Sequence, residues 1–230
     1  MRVNAPMIAQ PGLECARRTD GAVALWHRSV MTSNSEVRRC NGLWQALLAL
    51  PLLLAGAAAV AMPVDYQLDP ERSWVQFELL HFGTSTIRGR LGPARGVVSL
   101  DRATATGDIS VEIDTASLST GLAIFDARIR RADLLATDEY PKAWFVARQL
   151  RFDERGGLVA ARGELTLRGV SLPLTLEAER FVCRSDEGRE RCGGDFVARF
   201  KRSAVGMDFG LPLIGDDVVL RVQVEALRLP

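Results

Sequence analysis

The side chains that most often ligate metals or act as nucleophile and base are scarce in this chain. There are two histidines, His27 and His81, and four cysteines, Cys15, Cys40, Cys183 and Cys192. His/Cys metal clusters and Ser-His-Asp or Cys-His catalysis therefore have few members to draw on. No Gly-x-Ser-x-Gly turn offers a nucleophilic serine, and no Cys-x-x-Cys-His run could attach haem. Asp114, Asp126 and Asp133 are acids that a hydrolase or isomerase would recruit, but nothing sets two of them at a working separation. Two readings fit the cations: Arg128 and Arg131, three residues apart, could together hold a phosphate, or could join Asp126 and Asp133 in a solvated ion-pair face. His81 has no second histidine, cysteine or nucleophile to work with, so it reads as a core or rim residue, or as a hydrogen-bonding partner for a ligand head group. These residue types suit binding better than turnover.

The elements that must position them are mostly strands. Val75, Phe77 and Leu79 alternate with polar neighbours, and His81 continues their parity; Ile109, Val111 and Ile113 alternate with Ser110 and Glu112. The same period of two runs through Trp144-Val146 with Leu150-Phe152, Leu165-Leu167, Leu172-Leu176, Phe196-Phe200 and Val218-Ala226, with glycine turns between. Roughly eight to ten strands, each with one apolar face, must close on themselves or pack face to face. Between Gly121 and Tyr140 the rhythm changes: Leu122, Phe125 and Ile129 fall at helical spacing, predicting one or two short helices around residues 122–136. The predicted fold is an all-β, antiparallel, ligand-holding barrel with that helical insertion. Its inner wall is assigned to Phe77, Leu79, Ile109, Val111, Ile113, Trp144 and Val146, with Phe125, His81, Arg128 and Arg131 nearer a ligand's head. The same apolar faces would also fill a closed core, and sequence does not separate the two.

The 230 residues are 47% hydrophobic and 25% charged with a net charge of +1, which argues against a nucleic-acid partner, since phosphate binding needs a surplus of Lys and Arg. Arg38-Arg39 precedes an uncharged stretch from Asn41 to Val64 that ends in small residues at Ala59-Val60-Ala61. This is the layout of a signal peptide over 31–61, cleaved after Ala61, with an uncleaved membrane anchor as the alternative. Residues 1–30 show no periodicity and read as an over-extended start or a disordered extension, which leaves 62–230 as the barrel domain. Without residues 1–61 the chain keeps 23 basic and 25 acidic groups. Export to the periplasm would leave Cys183 and Cys192 as an even pair in an oxidising compartment, predicting a disulfide across the base of the polar segment 184–191.

Several motifs then stand in a telling order. Tyr66-Gln67-Leu68-Asp69-Pro70, Ser73-x-Val75-x-Phe77, His81-Phe82-Gly83 and Ile87-Arg88-Gly89 are followed by Ile113-Asp114-x-x-Ser117-Leu118-x-Thr120-Gly121. Tyr140-Pro141, Gly163-x-Leu165-Thr166-Leu167-Arg168-Gly169-Val170 and the stretch from Asp217 to Ala226 come next. Over about 65–230 the chain resembles the YceI-like family of secreted bacterial lipid-binding proteins. It departs from that pattern at Leu122-Ala123-Ile124-Phe125, which is more apolar than expected before the helix, and at the Cys183/Cys192 hairpin. The resemblance implies a lipocalin-like periplasmic barrel holding a long isoprenoid, a polyprenyl phosphate or a quinone, with no covalent cofactor and no catalysis. The other function carried from the sequence is an accessory of a membrane quinone or cytochrome electron-transfer system. An inner-membrane redox protein and a second copy of the chain are the candidate protein partners.

Overall fold

The computed structural model describes residues 62–186 and 188–230. The leader over 31–61, its cleavage site and residues 1–30 lie outside the described residues. Ten antiparallel strands are described: β1 (Val64–Leu68), β2 (Trp74–His81), β3 (Ser85–Leu91), β4 (Ala94–Asp101), β5 (Thr106–Asp114), β6 (Lys142–Phe152), β7 (Leu158–Leu167), β8 (Val170–Asp186), β9 (Arg189–Lys201) and β10 (Ile214–Arg228). One helix, α1 (Ala123–Ile129), follows β5.

Eight strands form a closed ring in the order β1-β4-β5-β6-β7-β8-β9-β10, and β10 returns to β1 through Tyr66↔Arg228 and Leu68↔Ala226. Closure removes the free edges that an open sheet would expose. β10 is long enough to serve a second neighbour: its earlier half, up to Gln223, pairs with β2, so the β2–β3 hairpin extends the wall beyond the end of β1. Phe77 on β2 faces Gly89 on β3, and a Cβ at Gly89 would stand 2.4 Å from the Phe77 ring, so only glycine leaves room for that ring to lie flat over its partner strand.

The seam beside β3 is closed by the segment after β5. Arg90 and Ser119 exchange backbone hydrogen bonds, and Arg130 donates to the carbonyls of Ala116 and Leu118. Asp126 is buried on α1 and accepts from both the amide and the hydroxyl of Thr120, holding the helix against the preceding turn. The hydrogen bond from the Thr120 hydroxyl, with that from its amide, keeps the Asp126 carboxyl below its ordinary pKa.

Register decides which residues face inward, and in one strand it reverses the sequence expectation. Trp144 and Val146, 40% and 43% exposed, point outward, while Phe145 and Ala147 are buried. The cause is a β-bulge: the β6–β7 pairing slips between Ala147 and Gln149, inserting one extra residue. Leu150 and Phe152, packed against the core, share sequence parity with Trp144 yet lie on the opposite face from it.

The polar segment between the cysteines is also more regular than expected. β8 and β9 continue as a ladder through Cys183↔Cys192 to Asp186↔Arg189, so the disulfide joins two directly opposed strand residues rather than the feet of a loose loop.

Candidate functional site

The barrel interior holds a cavity of about 350 Å³. Val218, Leu220, Val222, Val224 and Ala226 on β10 all face it, which at ~3.3 Å per residue is a run of roughly 26 Å. Phe77, Leu79, Ile109, Val111 and Ile113 line it as the alternation predicted. Phe145 takes the place expected of Val146, which is absent from the wall. Trp144 touches the cavity only alongside its cross-strand neighbour Glu112, both on the outward parity.

The two ends differ. At one end Tyr66, 2% exposed, and Cys192 stand against the cavity, and Arg102 ties the cap together. Its guanidinium donates to Glu190 at 2.9 Å, to the Tyr66 hydroxyl at 3.3 Å and to the sulfurs of Cys183 and Cys192 at 2.8 and 3.3 Å. The Tyr66 phenol donates to Glu190 at 2.7 Å, and burial together with that hydrogen bond pushes its pKa up to about 12. Burial would raise the Glu190 carboxyl, but the hydrogen bonds from Tyr66 and Arg102 overcome this and hold it low.

The other end opens between the β2–β3 hairpin, α1 and the connection from β9 to β10. His81 borders the cavity there, edge-on to Phe82 with ring centroids 4.3 Å apart. Half-exposed Phe125 borders it from α1 and Phe209 from the connection. Arg128 stacks 3.8 Å over the Phe209 ring and forms a bidentate pair with Asp133 at 2.7 and 2.6 Å. Its hydrogen bonds keep the Asp133 carboxyl below its ordinary pKa. Arg131 is exposed and does not reach the cavity, so of the two readings Arg128 follows the ion-pair one, with Asp133, and no pair of cations is assembled there. The i, i+3 spacing placed both on one turn of chain, but α1 ends at Ile129 and Arg131 leaves the helical register.

Arg202 was not anticipated from the sequence. It is 3% exposed at the cavity wall and donates to the carbonyls of Met207, Phe209, Ile214 and Gly215. Burial pushes its pKa down, yet four backbone dipoles receive the charge. The side chain thereby shapes the whole β9–β10 connection at the open end. Its only sequence signal was a charged residue directly after an alternating strand, which reads as surface. Arg168, noted in the sequence only as part of the Gly163 to Val170 motif, bridges the carbonyls of Gly206 and Ala132 and so links that connection to the segment after α1.

An elongated, antiparallel barrel with an apolar interior, capped at one end and open at the other, is a protein of the lipocalin-like, ligand-holding class. More narrowly, the chain belongs to the YceI-like family: residues 66–226 match the model of the YceI-like domain. Protein YceI of Shigella flexneri is 31% identical over 182 residues, covering 77% of this chain and 93% of the relative. A UPF0312 protein of Vibrio campbellii is 31% identical over 183 residues, covering 75% of this chain and 94% of its own. Among solved structures, the fold is shared with BcnA of Burkholderia cenocepacia (TM-score 0.58, 21% identity, 69% of this chain and 98% of that one). It is also shared with a polyisoprenoid binding domain from Saccharophagus degradans (TM-score 0.54, 19% identity, 71% of this chain and 98% of that one).

Proposed function

We propose that this protein is a periplasmic carrier of a long-chain isoprenoid lipid, exported by the leader over 31–61 and acting by binding rather than by turnover. The observation that carries the reading is the length and dryness of the cavity, whose walls are almost wholly hydrocarbon along β10 and β5. Each buried CH₂ gains about 0.8 kcal/mol, so a tail lying along such a wall is held along its whole length, whereas a short polar ligand would leave most of the channel unused. The polyisoprenoid binding by which the Saccharophagus degradans domain is described supports the same ligand class.

The open end favours an uncharged head group. Arg128 is already neutralised by Asp133, and Arg202 spends its donors on four carbonyls. A phosphate would have to displace a bidentate carboxylate, while a quinone carbonyl needs only one donor such as His81. Of the two isoprenoids, a quinone is therefore the better fit, and the carrier would then supply or shield it for a membrane electron-transfer system. The test is to purify the chain from its own envelope fraction, extract it with organic solvent and identify the extract by mass spectrometry. An isoprenoid quinone is expected. Polyprenyl phosphate would correct the head group, and an extract free of isoprenoid would overturn the reading.

A further inference from the structure

Large apolar side chains are exposed at the open end of the barrel, and they come from three separate segments. Phe82 caps the β2–β3 hairpin, Leu122 and Ile124 lie at the start of α1, and Phe209 and Leu213 lie in the β9–β10 connection; their exposure runs from 49% for Phe209 to 77% for Ile124. They are neighbours in space. The Phe82 amide donates to the Leu213 carbonyl at 2.7 Å. Ile124 sits one helical turn before Arg128, on the same face, and Arg128 lies over Phe209. Phe209 is both exposed and part of the cavity wall, as is Phe125, so the apolar lining passes without a break from the channel onto the outer surface.

Phe82 has a second peculiarity. With φ values of 49° and 69°, Phe82 and Gly83 occupy the two central positions of a tight hairpin turn, where the left-handed backbone favours Asn or Gly in the first place. Phe82 holds that strained conformation while 55% exposed, its edge-on contact with His81 tying the ring to the turn.

We propose that this rim is a docking surface for a phospholipid bilayer, on which the protein seats itself with its cavity facing the hydrocarbon. The proposal rests on the lipid-carrier reading for its purpose, since an isoprenoid tail crosses from bilayer to barrel without meeting water only if the two apolar phases touch. The bilayer is the occupant because the patch is continuous with the cavity wall: a protein partner seated there would plug the opening through which the ligand must pass. Insertion is shallow, by side chains at the tips of a hairpin, a short helix and a loop, as in interfacial binding. Among the described residues no helix is long and apolar enough to cross a membrane.

The test is hydrogen–deuterium exchange on the full chain with vesicles of equal parts phosphatidylethanolamine and phosphatidylglycerol. Residues 80–84, 122–125 and 209–213 are expected to gain protection, while 102–106 and 153–157 at the capped end do not. The readout is regional, so attachment through any other part of the chain does not imitate it. The double substitution Ile124→Asp with Leu213→Asp, at two positions that do not line the cavity, should reduce rim protection by about ten-fold and, because loading passes through the bilayer contact, lower the isoprenoid carried. Rim residues that stay unprotected beside vesicles, in a chain that still carries isoprenoid, would overturn the docking surface and leave the carrier reading intact. Protection that appears without vesicles and grows with protein concentration would overturn it in favour of a second copy of the chain. Rim protection in a chain that holds no isoprenoid would support the surface and overturn only the carrier reading.

Discussion

Arg202 holds its charge at the cavity wall through four carbonyls that lie on both sides of one connection. Replacing it with Met keeps most of the stem's packing but leaves those carbonyls short of a donor, at a cost of about 3 kcal/mol. Arg202→Met is therefore expected to lower the melting temperature and speed amide exchange over residues 206–214; an unchanged melting curve would show that water replaces the guanidinium at no cost. Arg202→Lys should rescue little, because one ammonium cannot reach four acceptors arranged for a planar fork. Inward strand positions give a second prediction at this scale. Ile113→Asp sets a charge against hydrocarbon and is expected to lose bound lipid, whereas Ser110→Asp, exposed on the same strand, keeps it; lipid extraction from both folded variants decides. Much of the wall was legible residue by residue, since Phe77, Leu79 and Ile109 to Ile113 follow strict alternation. Trp144 and Val146 were not, because a bulge carries no sequence mark of its own and one extra residue reverses every side chain before it relative to those after it.

Among the elements, the β8–β9 hairpin responds to reduction, and both ends of the barrel respond to acid. The Cys183–Cys192 bond closes a separation of nine residues, so its reduction, or a Cys183→Ser/Cys192→Ser pair, is expected to cost about 2.7 kcal/mol by loop-closure entropy. It should loosen the capped end, where Arg102 reaches both sulfurs, and leave the rim unchanged, as exchange at 102–106 against 209–213 would report. Acid acts at both ends: Tyr66 and Arg102 hold the Glu190 carboxyl of the cap low, and three carboxyls at the open end are held low as well. Hydrogen bonds from Thr120, Arg128 and the Ser203 amide hold the carboxyls of Asp126, Asp133 and Asp216 below their ordinary values. A carboxyl with a depressed folded pKa gives stability that is fully present above the ordinary range of about pH 4 and is lost as pH falls through the lower folded value. The α1 segment, the β9–β10 connection and the Tyr66–Glu190–Arg102 cap should thus loosen as pH falls below about 4, before the ring of strands melts. A single cooperative acid transition, in which the strands exchange together with these segments, would contradict this. The helix over Ala123–Ile129 was readable from apolar spacing, and the disulfide from an even cysteine pair in a chain whose leader reads as an export signal. Arg131 was misplaced because helical spacing was carried past the point where the helix stops.

For the molecule as a whole, alternation with turns between reveals that a barrel forms, but not that its interior is hollow, since a wall of Val, Leu and Phe has the same sequence as a packed core. Which residue closes an end is equally hidden: Tyr66 caps the channel through Arg102 and Glu190, more than thirty and one hundred residues away along the chain. A carrier of this kind requires the space along β5 and β10 to hold a lipid tail. Filling it tests this most directly. Val111→Trp places an indole in mid-channel, and Ser110→Trp places the same group on the outer face. In a ligand-holding channel the first variant stays about as stable as the parent and its organic extract loses the isoprenoid, while the second keeps it. In a filled core, overpacking at position 111 would cost about 1–3 kcal/mol. A Val111→Trp protein that is destabilised by that amount, and whose extract matches that of Ser110→Trp, would contradict the carrier.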